Sequence, residues 1–200
     1  MKLFNKYDLE GIQIDDLSLR QVISLKATNV PHSFGRHAKK PFGKEKVNVV
    51  ERLANKLMRG GTGEKTSGKV IRTHGNMQGK KLHALRIVED ALDIVAKQTN
   101  DNPVQVLVKA LQNSAPREDV TRVSFGGVSY QVATDVSATR RLDLSLRNIT
   151  LAAIMGSFNK GRGLETALAN EIIATAKGDT QASYAMRKRD EMERMARSAR

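Results

Sequence analysis

Eleven of this chain's thirteen net positive charges fall between residues 32 and 86. That stretch holds fourteen Lys/Arg against three Asp/Glu, whereas residues 1–31 are neutral and residues 87–200 carry a net of +2. Like charges gathered this closely repel one another, so a fold that collects them needs an anionic partner, and nucleic acid is the first candidate. The remainder must supply the core. Hydrophobic residues make up 40% of the 200, but aromatics only 4% and Trp none, so the core is expected to be aliphatic. Length favours one domain.

Cysteine is absent, which excludes a disulfide framework and a Cys-ligated zinc site and fits a reducing compartment. No apolar run approaches the roughly 18 residues that span a bilayer, and Met1–Glu10 mixes charge with apolar residues, unlike the uncharged centre of a signal peptide. The expectation is a soluble, cytoplasmic protein with no membrane partner.

Met1–Lys46 shows no sustained helical period and is punctuated by Pro31, Gly35, Pro41 and Gly43. From His32 onward it is a basic arm, with Arg36, Lys39, Lys40, Lys44 and Lys46 beside two aromatics, Phe34 and Phe42. Alone in water the arm is expected to be irregular or disordered, so that removing residues 1–46 would leave the helical signal largely intact. Residues 61–79, rich in Gly, Thr, Ser and Lys, read as a second flexible segment.

The rest, residues 47–200, reads as one helical domain. Val50, Leu53 and Leu57 mark a helix opened by Asn48 and closed at Gly60-Gly61. Leu85, Val88, Leu92 and Val95 mark the next. Asn102-Pro103 opens another, with Val104, Leu107, Val108 and Leu111 on its apolar face and Pro116 as its stop. The period then changes to two. Val123 and Phe125, then Val128, Tyr130 and Val132, alternate with polar residues either side of Gly126-Gly127, which predicts a β-hairpin over about 120–136. Helical period returns at Leu142, Leu146, Ile149 and Ala153, and again at Leu164, Leu168 and Ile172 before Gly178. The stretch Thr180–Arg200 permits a helix whose main anchors would be Met192 and Met195.

An isolated ribbon is marginal in water, so its base should pack on the helices and its tip should be free for a ligand. Tyr130 could stack on a base or pack within the ribbon. Arg122, Arg140 and Arg141 flank the ribbon and could hold phosphates. Gly63-x4-Gly68-Lys69 resembles a phosphate loop, but it follows a helix and Val70 stands where the Mg²⁺-binding Ser or Thr belongs. Lys65, Lys69 and Arg72 fit the basic surface better. His32, His37, His74 and His83 lack metal-ligand spacing, and there is no Gly-x-Ser-x-Gly turn. No enzyme, cofactor or metal is expected. Charge and hairpin by themselves also permit a DNA-binding architectural protein that clamps a groove with the ribbon.

The residue order is more specific than any single piece. Asn113-Ser114-Ala115-Pro116-Arg117-Glu118-Asp119, Thr121-Arg122, Gly126-Gly127, Tyr130-Gln131-Val132 and Arg140-Arg141 resemble the ribosomal protein S-seven family of the small subunit. The likeness continues through Leu168-Ala169-Asn170-Glu171-Ile172 and Ala176-Lys177-Gly178 to Lys188-Arg189-Asp190-Glu191-Met192, and the run from Asn102 looks archaeal or eukaryotic. The resemblance implies a mainly α, six-helix domain, counting a short N-terminal helix, with a β-ribbon between the fourth and fifth helices and a basic N-terminal arm. It implies binding to the 3′ major domain of small-subunit rRNA, nucleation of the subunit head, and a ribbon near the exit-site tRNA and the mRNA path. Other head and platform proteins would be neighbours.

By matching position, Arg117, Arg122, Gly126, Gly127, Tyr130, Gln131, Arg140 and Arg141 form the ribbon and its root, and the arm with Lys80 and Lys81 would lie on rRNA. Bacterial members often carry two arginines before the Gly-Gly turn, where this chain has Ser124-Phe125, and Pro and Glu where it has Ala133 and Asp135.

Overall fold

Leu53, Leu92, Leu107, Leu111, Leu142, Leu146, Ile149 and Leu168 come from separate helical runs, yet all are fully buried in one aliphatic cluster. Each such side chain contributes roughly 1.5–3 kcal/mol by leaving water, and together they decide how the helices pack. A computed structural model describes residues 2–26, 28–59, 61–66, 69–73 and 76–200, and for residues 64–66 and 69 the backbone only. Among these residues the order is α1 (Leu17–Arg20), α2 (Val49–Leu57), β1 (Gly61–Thr66), β2 (Lys69–Arg72), α3 (Lys81–Thr99), α4 (Pro103–Ser114), β3 (Glu118–Phe125), β4 (Val128–Asp135), α5 (Ala138–Ser157), α6 (Leu164–Lys177) and α7 (Tyr184–Ser198). α6 is the central helix, packed against α3, α4 and α5, while α2 lies on α3 and α5.

Local chemistry sets the helix ends. The Asn48 side-chain oxygen Oδ1 accepts from Val50 N–H at 2.9 Å and opens α2. Asn102 does the same for Val104 at 3.0 Å, with Pro103 in the first turn of α4. Asn100 and Gly178, both left-handed, close α3 and α6. α7 is opened from outside as well as inside. The buried Glu171 carboxylate on α6 accepts from Ala185 N–H at 3.0 Å and from Ser183 Oγ at 2.8 Å, and Ser183 accepts from Met186 N–H. Burial pushes the Glu171 carboxyl above its ordinary range, against these donors.

β3 and β4 pair antiparallel in register from Glu118↔Asp135 to Phe125↔Val128, around Gly126 and Gly127, both left-handed. This ribbon leaves the chain after α4. Its root rests on α7: Arg117 N–H donates to the Glu193 carboxylate at 3.1 Å, and Arg200 pairs with Glu118.

Four expectations change. The described residues hold seven α-helices rather than six; the short N-terminal one is Leu17–Arg20, opened by Asp16 through Ser18 and Leu19 N–H groups, and the chain closes on a full helix at Tyr184–Ser198. Segment 61–79 is not irregular throughout. β1 and β2 pair antiparallel with a bulge between Gly61 and Lys65. Periodicity could not show this, because backbone bonds and Arg59 hold the strands in place of an apolar face. The Arg59 guanidinium donates to Gly61 O at 2.6 Å and Thr62 O at 3.2 Å, and Thr62 is buried.

α7 is anchored by Ala185, Met186 and Ala196 rather than Met195, which is 46% exposed, because its inner face meets the ribbon root through polar contacts. The N-terminal residues are core, not appendage. Leu3, Leu9, Leu19, Val22 and Ile23 are buried in the main cluster, so deleting residues 1–46 would open it.

Candidate nucleic-acid interface

The basic arm folds as two successive 3-10 turns, Arg36–Lys39 and Gly43–Lys46. Two acids of the body, Glu51 and Asp143, and one of the arm's own, Glu45, tether it. Glu51, almost fully buried on α2, accepts from Ser33 N–H at 2.9 Å and Ser33 Oγ at 2.7 Å, and pairs with Lys81. Burial alone would raise the Glu51 carboxyl, but the Lys81 ammonium and the Ser33 donors outweigh it and hold the group below its ordinary range. Glu45 accepts from Thr139 Oγ1 on α5 at 2.8 Å. Asp143, also on α5, pairs with Lys44 and accepts from Arg52 Nη2 at 3.3 Å, with Lys56 Nζ at 3.7 Å.

One carboxylate therefore faces three cations. Burial works against its ionisation, yet Lys44, Lys56 and Arg52 hold its carboxyl below the usual range. Lys56 shifts the other way: burial lowers its ammonium and the neighbouring Lys44 and Arg52 add to that, against the pull of Asp143. Sequence reasoning missed Glu51 and Asp143. Each lies far along the chain from a partner it holds, so no local spacing marks it.

With its one acid, Glu45, engaged against the body, the arm turns surplus cations outward. Arg36, Lys39, Lys40 and Lys46 are exposed, and none has an acidic partner within ion-pair distance among the described residues. Lys80 is exposed at the start of α3. Lys81, beside it, points to Glu51, so the arm and this helix end meet at one buried acid.

The ribbon's candidate residues divide between two faces. Arg122 and Gln131 are cross-strand partners on one face, with Ser124 and Ser129. Tyr130 partners Val123 on the other, beside Phe125, Val128 and Val132. Every residue from Thr121 to Val132 is exposed, Tyr130 at 54% and Phe125 at 81%. Tyr130 is thus not buried against the helices.

At the root, adjacent arginines part company. Arg140 is exposed and lies 3.3 Å from Asp119. Arg141 is buried: it pairs with Asp16 at 2.7 Å, donates Nε–H to Pro116 O at 3.2 Å and bonds the Ser18 hydroxyl. Arg141 therefore cannot hold a phosphate as expected, because its donors are engaged in locking the N-terminal segment to the ribbon root. Burial would raise the Asp16 carboxyl, but Arg141 and Ser18 pull it down to about 2. Arg117 is exposed and lines a polar cleft of about 450 Å³ together with residues of α4 and α7.

The Gly63-x4-Gly68-Lys69 pattern runs from within β1 to the first residue of β2, in a hairpin and not between a strand and a helix. Gly68, His74 and the side chains of Lys65 and Lys69 lie outside the described residues. Among the described residues no cluster of acids and histidines could hold a metal, and no helix is long and apolar enough to cross a membrane.

The surface thus described is cationic and split between an arm and a ribbon. Comparison with known proteins bears on what it meets. The small ribosomal subunit protein uS7 of Methanothermobacter thermautotrophicus is 45% identical over 197 residues, 98% of this chain and 98% of that protein. The protein of the same name from Methanococcus maripaludis strain C6 is 46% identical over 200 residues, 100% of this chain and 99% of its own. That of Methanosphaera stadtmanae is 44% identical over 198 residues, 99% and 98% of the two chains. The sequence model of the family Ribosomal protein S7p/S5e matches residues 19–200, and the chain accordingly belongs to that family.

Proposed function

We propose that this chain is a structural, RNA-binding component of the small ribosomal subunit and not an enzyme. It docks on the 3′ major domain of small-subunit rRNA, helps nucleate the subunit head beside neighbouring proteins, and holds its ribbon near the exit-site tRNA and the mRNA path. The observation that carries the reading is the arm: four exposed cations without acidic partners among the described residues, Arg36, Lys39, Lys40 and Lys46, on a scaffold that consumes its own acids. Such a surface binds by neutralising phosphates and releasing counterions, with shape rather than base sequence as the discriminator. Arg117, Arg122 and Arg140 extend it toward the ribbon. The relatives, all named for the small subunit, support RNA over DNA as the polyanion.

The test is competition at matched salt. Folded small-subunit rRNA should displace the protein from random duplex DNA, and the protein should stay with small subunits through a high-salt wash. If about eight phosphates are engaged, affinity should fall by roughly 10³–10⁵ between about 50 and 200 mM salt. Equal or tighter binding to random duplex DNA would refute the reading.

A further inference from the structure

Phe34 is 74% exposed and Phe42 79%, although both are rings that burial would stabilise. Each also stands where the backbone is left-handed, with φ 52° at Phe34 and 55° at Phe42, a region costly for a bulky side chain. The turn from Ser33 to Arg36 is closed by Arg36 N–H donating to Ser33 O at 3.1 Å, and both central residues, Phe34 and Gly35, have positive φ. The turn from Lys40 to Gly43 is closed by Gly43 N–H donating to Lys40 O at 3.1 Å, with Pro41 ahead of Phe42. In a turn of that shape the second corner is ordinarily Gly or Asn.

In the first turn Phe34 holds the first corner and Gly35 the second, in the other Phe42 holds the second corner itself, and in both a glycine directly follows the phenylalanine. Gly43 is needed where it is, since a Cβ there would lie 2.3 Å from His37 O. The fold thus tolerates strain twice to hold a ring clear of the body, the kind of outlier that marks a working position.

The surroundings say what the rings meet. The Arg36 guanidinium lies 5.8 Å from the Phe34 ring centroid, and the His32 ring 4.2 Å from it, tilted by 43°. Lys44 and Lys46 follow Phe42 as Arg36 and Lys39 follow Phe34. A flat ring beside cations matches an unpaired nucleotide, base on ring and phosphate on cation. A helical stem hides its base faces within the stack and offers the rings nothing. An apolar protein partner would have no use for the cations.

We propose that Phe34 and Phe42 are stacking platforms for unpaired bases, so that the arm takes single-stranded or bulged RNA in preference to stems. This rests on the RNA-binding reading above. The test uses the full chain and two RNA probes of equal length and charge, one unpaired and carrying 2-aminopurine, one a closed stem. Phe34→Leu and Phe42→Leu should each weaken binding to the unpaired probe about tenfold and abolish part of the 2-aminopurine quenching. Binding to the stem should change less than twofold, and the salt slope should not change on either probe.

Phe34→Tyr and Phe42→Tyr should retain both affinity and quenching, which separates loss of a stacking face from loss of fold. Equal losses on both probes, or no loss on either, would overturn the inference. A wild-type protein that binds the stem but not the unpaired probe overturns this inference alone. One that binds neither probe nor rRNA overturns the RNA-binding reading with it.

Discussion

Residues 2–26 and the arm that follows them look alike in sequence, both short of helical period, yet they do opposite things. The first segment puts Leu3, Leu19, Val22 and Ile23 into the core. The arm buries little beyond Pro31 and Val47 at its ends and is held by Ser33, Lys44 and Glu45 through hydrogen bonds and ion pairs. Irregular backbone therefore says nothing about how firmly a segment is attached. What decides is whether apolar area or ionic tethers make the attachment. Area resists salt and tethers do not, so the two segments should respond differently to ionic strength.

The largest effects should separate the two segments outright. Leu19→Ala should cost about 2–5 kcal/mol in urea denaturation, as expected for a fully buried leucine. Lys39→Ala or Lys40→Ala should change stability by less than about 0.5 kcal/mol, as exposed positions do. Deleting residues 1–26 should abolish cooperative unfolding. A deletion that leaves the helical signal and a sharp transition would break the comparison.

Next in size is the pair at the ribbon root. Arg141→Ala removes the cation paired with Asp16 Oδ2 and the donor to Pro116 O and should cost about 2–3 kcal/mol. Arg140→Ala should cost less than about 0.5 kcal/mol, its pair with Asp119 being exposed, yet weaken RNA binding. If the two variants proved equally stable, Arg141 would not be the lock between the N-terminal segment and the ribbon.

Acid should act on both segments, through different groups. Asp16, Glu51 and Asp143 are all held below the ordinary carboxylate range. Their stabilisation is full above the unfolded value and is lost as pH falls through the folded one, for Asp16 between 3.8 and about 2. Glu171 has the opposite sign. Raised by burial, it favours folding below its unfolded value and loses that contribution as pH rises through the folded one. Melting temperature should therefore fall on acidification, and Asp16→Asn should lower it at pH 6 while flattening the fall below pH 4. An unaltered acid limb in Asp16→Asn would assign the acid sensitivity to the tethers of the arm instead.

How much could be read beforehand follows the same division. Helices with apolar faces, such as Val104–Leu111, and the alternation around Gly126-Gly127 are local patterns, and they stand where the periods put them. The chemistry was legible as residue type and charge density. What sequence hid was pairing across distance. Arg140 and Arg141 are neighbours with one composition and two fates, decided by Asp16, Ser18 and Pro116 meeting on one side of α5. The division of the ribbon into an Arg122–Gln131 face and a Tyr130 face was implicit in the alternation, but only register makes it concrete. The strands at 61–72 left no trace because Arg59, not an apolar stripe, secures them.

The smallest effect gives the finest test of ionic tethering, and it compares two lysines of the arm. Lys40 is exposed with no acidic partner within ion-pair distance among the described residues, whereas Lys44 pairs with Asp143 in company with Arg52 and Lys56. Lys40→Gln should lower the salt slope of RNA binding by about 0.7–0.9, one phosphate's share, with no change in melting temperature. Lys44→Gln should lower the slope by less, because Asp143 already neutralises it. It should also cost a few tenths of a kcal/mol, about the worth of a partly exposed pair. Isothermal titration at three salt concentrations distinguishes the two. Identical slopes for the variants would mean that RNA displaces Asp143 and takes Lys44 for itself, so that the tether is released on binding rather than kept.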